Sequence, residues 1–279
     1  MQEQRASRTA MATAYMRAAH QILDGTPLVL DDPAAFALLG PSARTEIEAA
    51  RDRYMAAGAM ALRSHVVLRS RYAEDRLALA AARGVTQYVM LGAGFDTFAL
   101  RQPAWAAALT IVEVDHPDTQ HAKIGRMEAA GRSVPRNLRF AACDFERDAL
   151  ADAITRAGAS ATAPTFFTWL GGTMYMTAAT NARLLRAMAT FPPGSEAVIT
   201  FLQPTPESGG AAELAARAAA VGEPMVSPYA VDEMEAALRA AGFGATEFVS
   251  AEMSARYFPA HGALPNPRRI SIVRATCAT

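Results

Sequence analysis

Apolar and polar positions follow different periods in the two parts of the chain. In residues 1–82, apolar side chains recur every three or four positions, as on amphipathic helices, and no strand pattern interrupts them. This periodicity predicts a helix over 7–23, a short helix after Asp32-Pro33, and a long helix or helix pair over 43–82. We therefore expect residues 1–82 to form a helical cap or lid.

From Val85 onward, short apolar runs alternate with helical segments. The predicted strands are 87–91, 110–114, 138–142, 164–169 and 197–201, and the predicted helices between them are 117–130, 147–157 and 178–190. Such alternation is typical of a parallel sheet with right-handed crossovers. We expect residues 83–279 to form an α/β domain, built as a doubly wound and mostly parallel sheet.

The end of the chain departs from this alternation. A polar, glycine-containing insertion occupies about 203–230. A helix over 231–241 then ends at Gly242, the residue type that most often terminates a helix. Two last strands, over 247–251 and 269–274, fit an antiparallel edge and bring the predicted sheet to seven strands.

A glycine turn and an acid suggest a nucleoside site. The first strand runs into Gly92-Ala93-Gly94, and the second ends at Asp115. In doubly wound sheets such glycines let a ligand approach the backbone, and the acid binds ribose hydroxyls. A pyrophosphate site has a third glycine, but here Asp96 and Thr97 follow Gly94 and Phe95. The pattern therefore favours a ribose ligand without a pyrophosphate, such as S-adenosylmethionine, over NAD. Two alternatives stay open: a purely steric glycine turn, and Asp115 as a helix N-cap.

Composition narrows the class of protein. Lys plus Arg and Asp plus Glu both number 27, so no basic field for nucleic acid is expected. Cys143 and Cys277 lack metal-ligand spacing and indicate a reducing compartment, and His116 and His121 do not share a helix face for a metal. No apolar run suggests a membrane span or signal peptide, so we expect a cytoplasmic protein. Many alanines, with arginine in excess over lysine, suggest a bacterial source.

Longer segments around these positions resemble one known family. Residues 84–101 closely resemble the signature of the leucine carboxyl methyltransferase family, which includes enzymes that methylate a C-terminal leucine carboxylate and polyketide O-methyltransferases. Four further segments match in the same order: Arg69-Ser70-Arg71-Tyr72-Ala73-Glu74-Asp75, Glu113-Val114-Asp115-His116-Pro117, Cys143-Asp144-Phe145 and Trp169-Leu170-Gly171-Gly172-Thr173-Met174-Tyr175-Met176. The resemblance spans about residues 9–274. It implies a class I, S-adenosylmethionine-dependent O-methyltransferase.

The resemblance also implies which residues bind the methyl donor. Arg69, with Arg71 in reserve, is expected to bind the methionyl carboxylate, since a guanidinium can bind a carboxylate with two parallel hydrogen bonds. The alternative is an arginine on a solvated helix face. The turn Gly92-Ala93-Gly94 is expected beneath the amino-acid part of the donor, and Asp115 is expected to bind the ribose.

The third and fourth strands contribute the remaining donor contacts that the resemblance implies. The Asp144 carboxylate and the Phe145 backbone N–H are expected beside adenine, although Asp144 could instead cap the following helix. Leu170 departs from the family, because many members have a glutamate there. Backbone carbonyls of Trp169 or Leu170 are expected to replace its contact with the donor's amino group.

The acceptor chemistry is less well specified by the sequence. A sulfonium methyl group is a strong electrophile, so a carboxylate acceptor needs no general base, whereas a phenol does. Tyr175 is a candidate hydrogen-bond partner for an acceptor carboxylate or a packing residue, and His116 is a candidate base for a phenol or a loop residue. We expect a small-molecule carboxylate or hydroxyl as acceptor, and a peptide C-terminus next. The rival classes are an NAD-dependent oxidoreductase and a non-catalytic nucleoside-binding protein.

Overall fold

The computed structural model describes residues 7–204, 224–258 and 264–278, together with residues 216, 219 and 222. Most of the predicted insertion over 203–230 lies outside this range. The helices within it are α1 (Arg8–Leu23), α2 (Ala43–Ala49), α3 (Arg51–Met55), α4 (Ala57–Ala82), α5 (Phe98–Arg101), α6 (Pro117–Ala129), α7 (Leu150–Arg156), α8 (Ala178–Ala189), α9 (Val231–Ala241) and α10 (Ala251–Ala255). None of these described helices is long and apolar enough to cross a membrane.

The strands of the described residues form one mixed sheet. They are β1 (Gln87–Leu91), β2 (Thr110–Asp115), β3 (Leu138–Ala142), β4 (Thr165–Trp169), β5 (Glu196–Thr200), β6 (Phe243–Phe248) and β7 (Ile272–Cys277). Their order is β3-β2-β1-β4-β5-β7-β6. Strands β1 to β5 are parallel, and β7 is antiparallel to both β5 and β6. The predicted seven-stranded, mostly parallel sheet is confirmed.

Five sequence predictions need correction. Two concern bounds, since the helix predicted over 147–157 is α7 (Leu150–Arg156) and the strand predicted over 269–274 is β7 (Ile272–Cys277). The segment after Pro33 is a series of turns and not a helix, because Ala35 and Ala37 each bond to a carbonyl only three residues earlier. The predicted helix over 43–82 is divided into α2, α3 and α4. The strand predicted over 247–251 lies earlier, since β6 follows Gly242 directly and Ser250 caps a helix by accepting a hydrogen bond from the Met253 N–H.

Alternate residues of the parallel strands face two different cores, as expected for a sheet covered on both faces. Val89, Val112 and Val114 pack with residues of α7, α8 and α9. On the opposite face, Tyr88 and Ile111 pack against residues of α4 and α5. A third cluster joins α1 and α2 to Phe95, just after the glycine turn. Residues of the predicted cap therefore pack against residues of the predicted sheet domain. The predicted domain boundary at residue 82 stays a prediction.

Buried charges connect the elements of the cap. Arg63 of α4 donates to both carboxylate oxygens of Asp24 at 2.7 Å, and Nδ1 of His20 lies 2.8 Å from Asp24 Oδ2. All three side chains are almost completely buried. Burial alone would raise the pKa of Asp24, but the hydrogen bonds from His20 and Arg63 outweigh it and hold that pKa below its usual value. Asp24 is therefore ionised and fully paired.

A second group of charges anchors the segment that follows the glycine turn. Arg101 of α5 donates to the Glu74 carboxylate of α4 and lies 3.2 Å from Asp32. Thr97 donates to the other oxygen of Asp32 at 2.6 Å. These contacts hold the loop around Asp32 against α5, and Arg101 joins α5 to α4 through Glu74. The segment directly after the glycine turn is thereby held in place.

Candidate functional site

A crevice is expected at the carboxyl ends of β1 and β4. The chain order of the sheet reverses between these strands, and open α/β sheets bind ligands at that point. After β1, Gly92 and Gly94 have φ angles of +62° and +52°, a region that residues with side chains rarely adopt. The Gly92 N–H donates to the Val114 carbonyl at 2.8 Å, which joins this turn to the end of β2.

Asp115 holds the glycine turn in place. Its carboxylate accepts hydrogen bonds from the Gly94 N–H at 2.5 Å and from the His116 N–H at 2.7 Å. Burial raises the pKa of Asp115, although these two bonds lower it. The side chain keeps part of its surface accessible, so its remaining lone pairs can accept from ribose hydroxyls.

The N-cap alternative for Asp115 is wrong. His116 occupies the N-cap of α6, and its Nδ1 accepts a hydrogen bond from the Asp118 N–H at 3.3 Å. The His116 side chain is exposed and turned toward its own helix. Its involvement in capping makes it a poor candidate for a base in the crevice.

Asp115→Ala is expected to weaken S-adenosylhomocysteine binding by about 1–3 kcal/mol, because the ribose loses a charged acceptor and the turn loses its support. Isothermal titration measures the loss. The matched control is Asp152→Ala, an exposed acid in the first turn of α7, which should leave the affinity unchanged. An unchanged affinity in folded Asp115→Ala would leave this carboxylate with a structural role alone.

Arg69 lies against the turn that follows β4. A Cβ atom added to Gly171 would lie 2.6 Å from Arg69 Nη1, and Gly171 itself has φ +85°. Burial lowers the pKa of Arg69 to about 10, and the nearby charge of Arg17 contributes, whereas Tyr175 and Asp96 raise it. Arg69 is still protonated at neutral pH and makes no hydrogen bond or ion pair within the described residues. A desolvated guanidinium without a partner is a ready site for a carboxylate.

Gly171→Ala is expected to displace the Arg69 guanidinium and to weaken S-adenosylhomocysteine binding by at least about tenfold, or 1.4 kcal/mol. Titration of the purified variant checks this. Gly58→Ala is the control, since a Cβ there meets nothing within 4 Å. Wild-type affinity in folded Gly171→Ala would contradict the placement of the donor carboxylate.

The second arginine of the predicted pair lies elsewhere. Arg71 is exposed, pairs with Asp75 at 3.0 Å and donates to the Val29 carbonyl at 3.4 Å. Arg17 of α1 takes a position that the sequence did not reveal. It donates to the Phe95 carbonyl beside the glycine turn, and its positive charge lowers the pKa of both Arg69 and Asp96.

The predicted adenine residues lie beside Asp115 at the end of β3. The Cys143 N–H donates to the Asp115 carbonyl at 2.9 Å, which joins the two strand ends. The Asp144 carboxylate accepts from the Glu146 N–H at 3.0 Å, and the Phe145 ring is buried in the core. Asp144 thus stabilises a local turn and does not cap the following helix, because α7 begins at Leu150 with Ala149 at its N-cap. The adenine contact stays a prediction.

The turn after β4 places the remaining predicted residues. Trp169 is fully buried with Gly172 packed against its indole Nε1, and Leu170 is half-buried against the α4 side of the sheet. The Gly171 N–H donates to Thr200 Oγ1 at 2.6 Å, which fixes the turn to β5. Tyr175 follows, half-buried and close enough to Arg69 to affect its pKa. The structure thus brings Arg69 and Tyr175 together with the turn that follows β4.

The donor set fits S-adenosylmethionine. Arg69 and Arg17 offer the positive charge that a methionyl carboxylate requires, and half-buried Asp96, which interacts electrostatically with both, offers negative charge for an ammonium group. Burial would raise the pKa of Asp96, but Arg17, Lys123 and Arg101 hold it below its usual value. Asp96 can therefore replace the contact that the family glutamate makes, and Asp115 is available to the ribose.

Known proteins resemble this chain in sequence and in fold. Residues 10–189 match the family model for leucine carboxyl methyltransferase. A Bacillus subtilis (strain 168) protein named as a candidate S-adenosyl-L-methionine-dependent methyltransferase, YktD, is 30% identical over 276 residues that cover 90% of each chain. Two solved structures show the same fold. A Thermobifida fusca methyltransferase candidate has a TM-score of 0.59 at 16% identity, covering 100% of this chain and 97% of its own. A DUF574 protein from Streptomyces avermitilis has a TM-score of 0.59 at 17% identity, covering 95% of both chains.

Proposed function

The chain belongs to the leucine carboxyl methyltransferase family and is an S-adenosylmethionine-dependent methyltransferase, and on this premise we propose that it methylates a carboxylate of a small molecule. S-adenosylmethionine supplies a methyl group bound to a sulfonium sulfur. A carboxylate oxygen forms a bond to that methyl carbon as the carbon–sulfur bond breaks. The products are a methyl ester and S-adenosylhomocysteine, and no proton is transferred.

The residues of the crevice contribute binding and orientation. Arg69 holds the methionyl carboxylate, Asp96 faces the ammonium group, and Asp115 holds the ribose. The turns after β1 and β4 are held in place, since Asp115 and Thr200 accept hydrogen bonds from their backbones. Methyl transfer depends mainly on such alignment of donor and acceptor, which removes the entropic cost of bringing them together in solution.

The observation that carries the carboxylate proposal is the state of two histidines close to predicted donor residues, His116 beside Asp115 and His65 beside Arg69. His116 is exposed and caps α6 with Nδ1. Burial lowers the pKa of His65, on α4, to about 3, and the charge of Arg69 contributes. An imidazole with so low a pKa is a weak base, because effective general bases have pKa values near the working pH. A phenol would lack help from either residue, whereas a carboxylate is already ionised.

The rate of methyl transfer is expected to be flat between about pH 6 and 8, because an acid with a pKa near 4 and a histidine with a pKa near 3 do not titrate there. His116→Ala should retain the wild-type rate and profile. The measurement is the initial rate of tritiated methyl transfer from S-adenosylmethionine. A rate that rises with pH and collapses in His116→Ala would make His116 a base and overturn the carboxylate proposal.

The product itself tests the function. A panel of aliphatic and aromatic carboxylic acids is offered with matched phenols and with peptides ending in leucine. Methyl esters release volatile methanol in mild alkali, whereas methyl ethers and N-methyl groups do not. We expect alkali-labile methylation of at least one small acid. Alkali-stable products alone, or methylation confined to the peptides, would contradict the proposal.

A further inference from the structure

His65 lies beyond the carboxyl edge of the sheet. Residues 83–86 connect α4 directly to β1, so α4 runs back along the sheet, antiparallel to β1. Arg69 contacts Gly171, just beyond the end of β4, and therefore marks the carboxyl edge of the sheet. His65 precedes Arg69 by one helical turn on the same face, about 6 Å further out. That position lies above the strand ends, beyond the predicted site of the methionyl carboxylate.

The imidazole of His65 is unpaired among the residues that the structure describes. It makes no hydrogen bond to any residue that the structure describes, although protein surrounds it closely enough to shift its pKa. Part of its surface is accessible, so it does not lie in the solid core. His20 shows the contrast, because its Nδ1 pairs with Asp24 and its Nε2 accepts from the Leu30 N–H. Polar groups that protein largely encloses are usually hydrogen-bonded, so the unused donor and acceptor of this half-buried ring are available to a ligand.

The surroundings of His65 fit an anionic ligand. Arg69 is the neighbouring charge on α4, and Tyr175 of the facing turn lies close to Arg69. Ser64, next to His65, is turned away and donates to the Pro265 carbonyl at 2.7 Å. A neutral imidazole always carries one N–H donor, and beside a guanidinium that donor favours a carboxylate over a cation or an apolar group.

We propose that His65 binds the methyl acceptor, donating its ring N–H to one oxygen of the acceptor carboxylate and leaving the other oxygen to face the donor's methyl group. The inference rests on the proposed function and adds the residue that orients the acceptor. His65 does not remove a proton in this scheme. It lowers the number of orientations that the bound carboxylate can adopt. Loss of His65 should therefore change the KM for the acceptor more than the affinity for the methyl donor.

The first test observes the ring directly. Protein labelled with ¹⁵N-histidine and saturated with S-adenosylhomocysteine is titrated with acetate, hexanoate and phenylacetate, and with the corresponding amides. The His65 ring resonances, assigned by their loss in His65→Gln, are expected to shift with at least one carboxylate and with none of the amides. The signals of His121, exposed on α6, should not move. His65 resonances that stay unchanged with every carboxylate would overturn the inference.

The second test uses variants, with the best methylated acid of the panel as acceptor. His65→Leu removes the donor and should raise the acceptor KM by about 10- to 100-fold, the usual effect of losing a hydrogen bond to a charged group. His65→Gln keeps an N–H donor and should restore most of the loss. Both variants should bind S-adenosylhomocysteine like the wild type, which shows that they fold.

The outcomes separate the two proposals. Wild-type KM in His65→Leu, with alkali-labile product still formed, would overturn the role of His65 and leave carboxylate methylation standing. Alkali-stable products alone would overturn carboxylate methylation, whatever the His65 resonances do. Equal losses in His65→Leu and His65→Gln would mean that ring packing, and not the N–H donor, supports the acceptor, and would also contradict the inference.

Discussion

Arg69→Ala is expected to weaken S-adenosylmethionine binding by about 2–4 kcal/mol, or about 30- to 1,000-fold. The guanidinium is desolvated, makes no hydrogen bond within the described residues and lies against Gly171 at the carboxyl edge of the sheet. Without it, the methionyl carboxylate enters a half-buried site with no bidentate partner. Isothermal titration of S-adenosylmethionine and S-adenosylhomocysteine measures the effect.

Two controls assign that loss to the carboxylate. Methylthioadenosine has the same nucleoside but no methionyl carboxylate, so its affinity should fall much less. Arg71→Ala removes an arginine of the same helix that pairs with Asp75 in solvent, and it should bind both ligands like the wild type. Equal losses for both ligands in Arg69→Ala, or a larger loss in Arg71→Ala, would contradict the assignment.

Asp24→Asn is expected to lower the free energy of unfolding by about 3–5 kcal/mol at neutral pH, because it leaves the Arg63 guanidinium buried without a counter-charge. Arg63 is completely buried, and Asp24 is its carboxylate partner among the described residues, with two hydrogen bonds between them. Urea denaturation monitored by circular dichroism measures the change. The matched control is Glu48→Gln, which breaks the exposed Arg44–Glu48 pair at 3.8 Å and should cost less than about 1 kcal/mol.

The pH dependence of this effect has a defined sign. The pKa of Asp24 is lowered in the folded protein, so its contribution to stability is complete above its ordinary pKa of 3.8 and is lost as the pH falls through the folded value. The difference between wild type and Asp24→Asn should therefore be constant at neutral pH and shrink below about pH 4. A difference that grows on acidification would mean that Asp24 is protonated in the folded protein.

Much of the sheet and part of the site could be predicted from local sequence. One apolar run ends in glycine and the next ends in an acid, and these runs predicted the bounds of β1 and β2 to within one residue. Buried parallel strands are mostly apolar along their length, which makes such runs visible in the sequence. The sequence also favoured Arg69 over Arg71. Residues two apart on a helix point about 200° apart, so only one of these arginines can face the sheet. The structure turns Arg69 to Gly171 and Arg71 to Asp75.

The remaining site residues depend on tertiary packing that no local pattern encodes. Arg17 comes from α1, far from the glycine turn in sequence, and reaches Phe95 only because the cap folds onto the sheet. The pKa of Asp96 is lowered by Arg17, Lys123 and Arg101, which lie on other elements. For His65 the spacing of one helical turn before Arg69 was a usable signal. The strand prediction over 247–251 was wrong because β6 pairs with β7 over Phe243–Phe248, and Ser250 already caps the next helix.

The most direct test of the account is a crystal structure of the complex with S-adenosylhomocysteine. We predict the methionyl carboxylate within hydrogen-bonding distance of the Arg69 guanidinium, beside Gly171, and both ribose hydroxyls on the Asp115 carboxylate. His65 should then lie beyond the donor sulfur, on the side open to an acceptor. A carboxylate bound to Arg71, or a nucleoside held away from Asp115, would contradict the account.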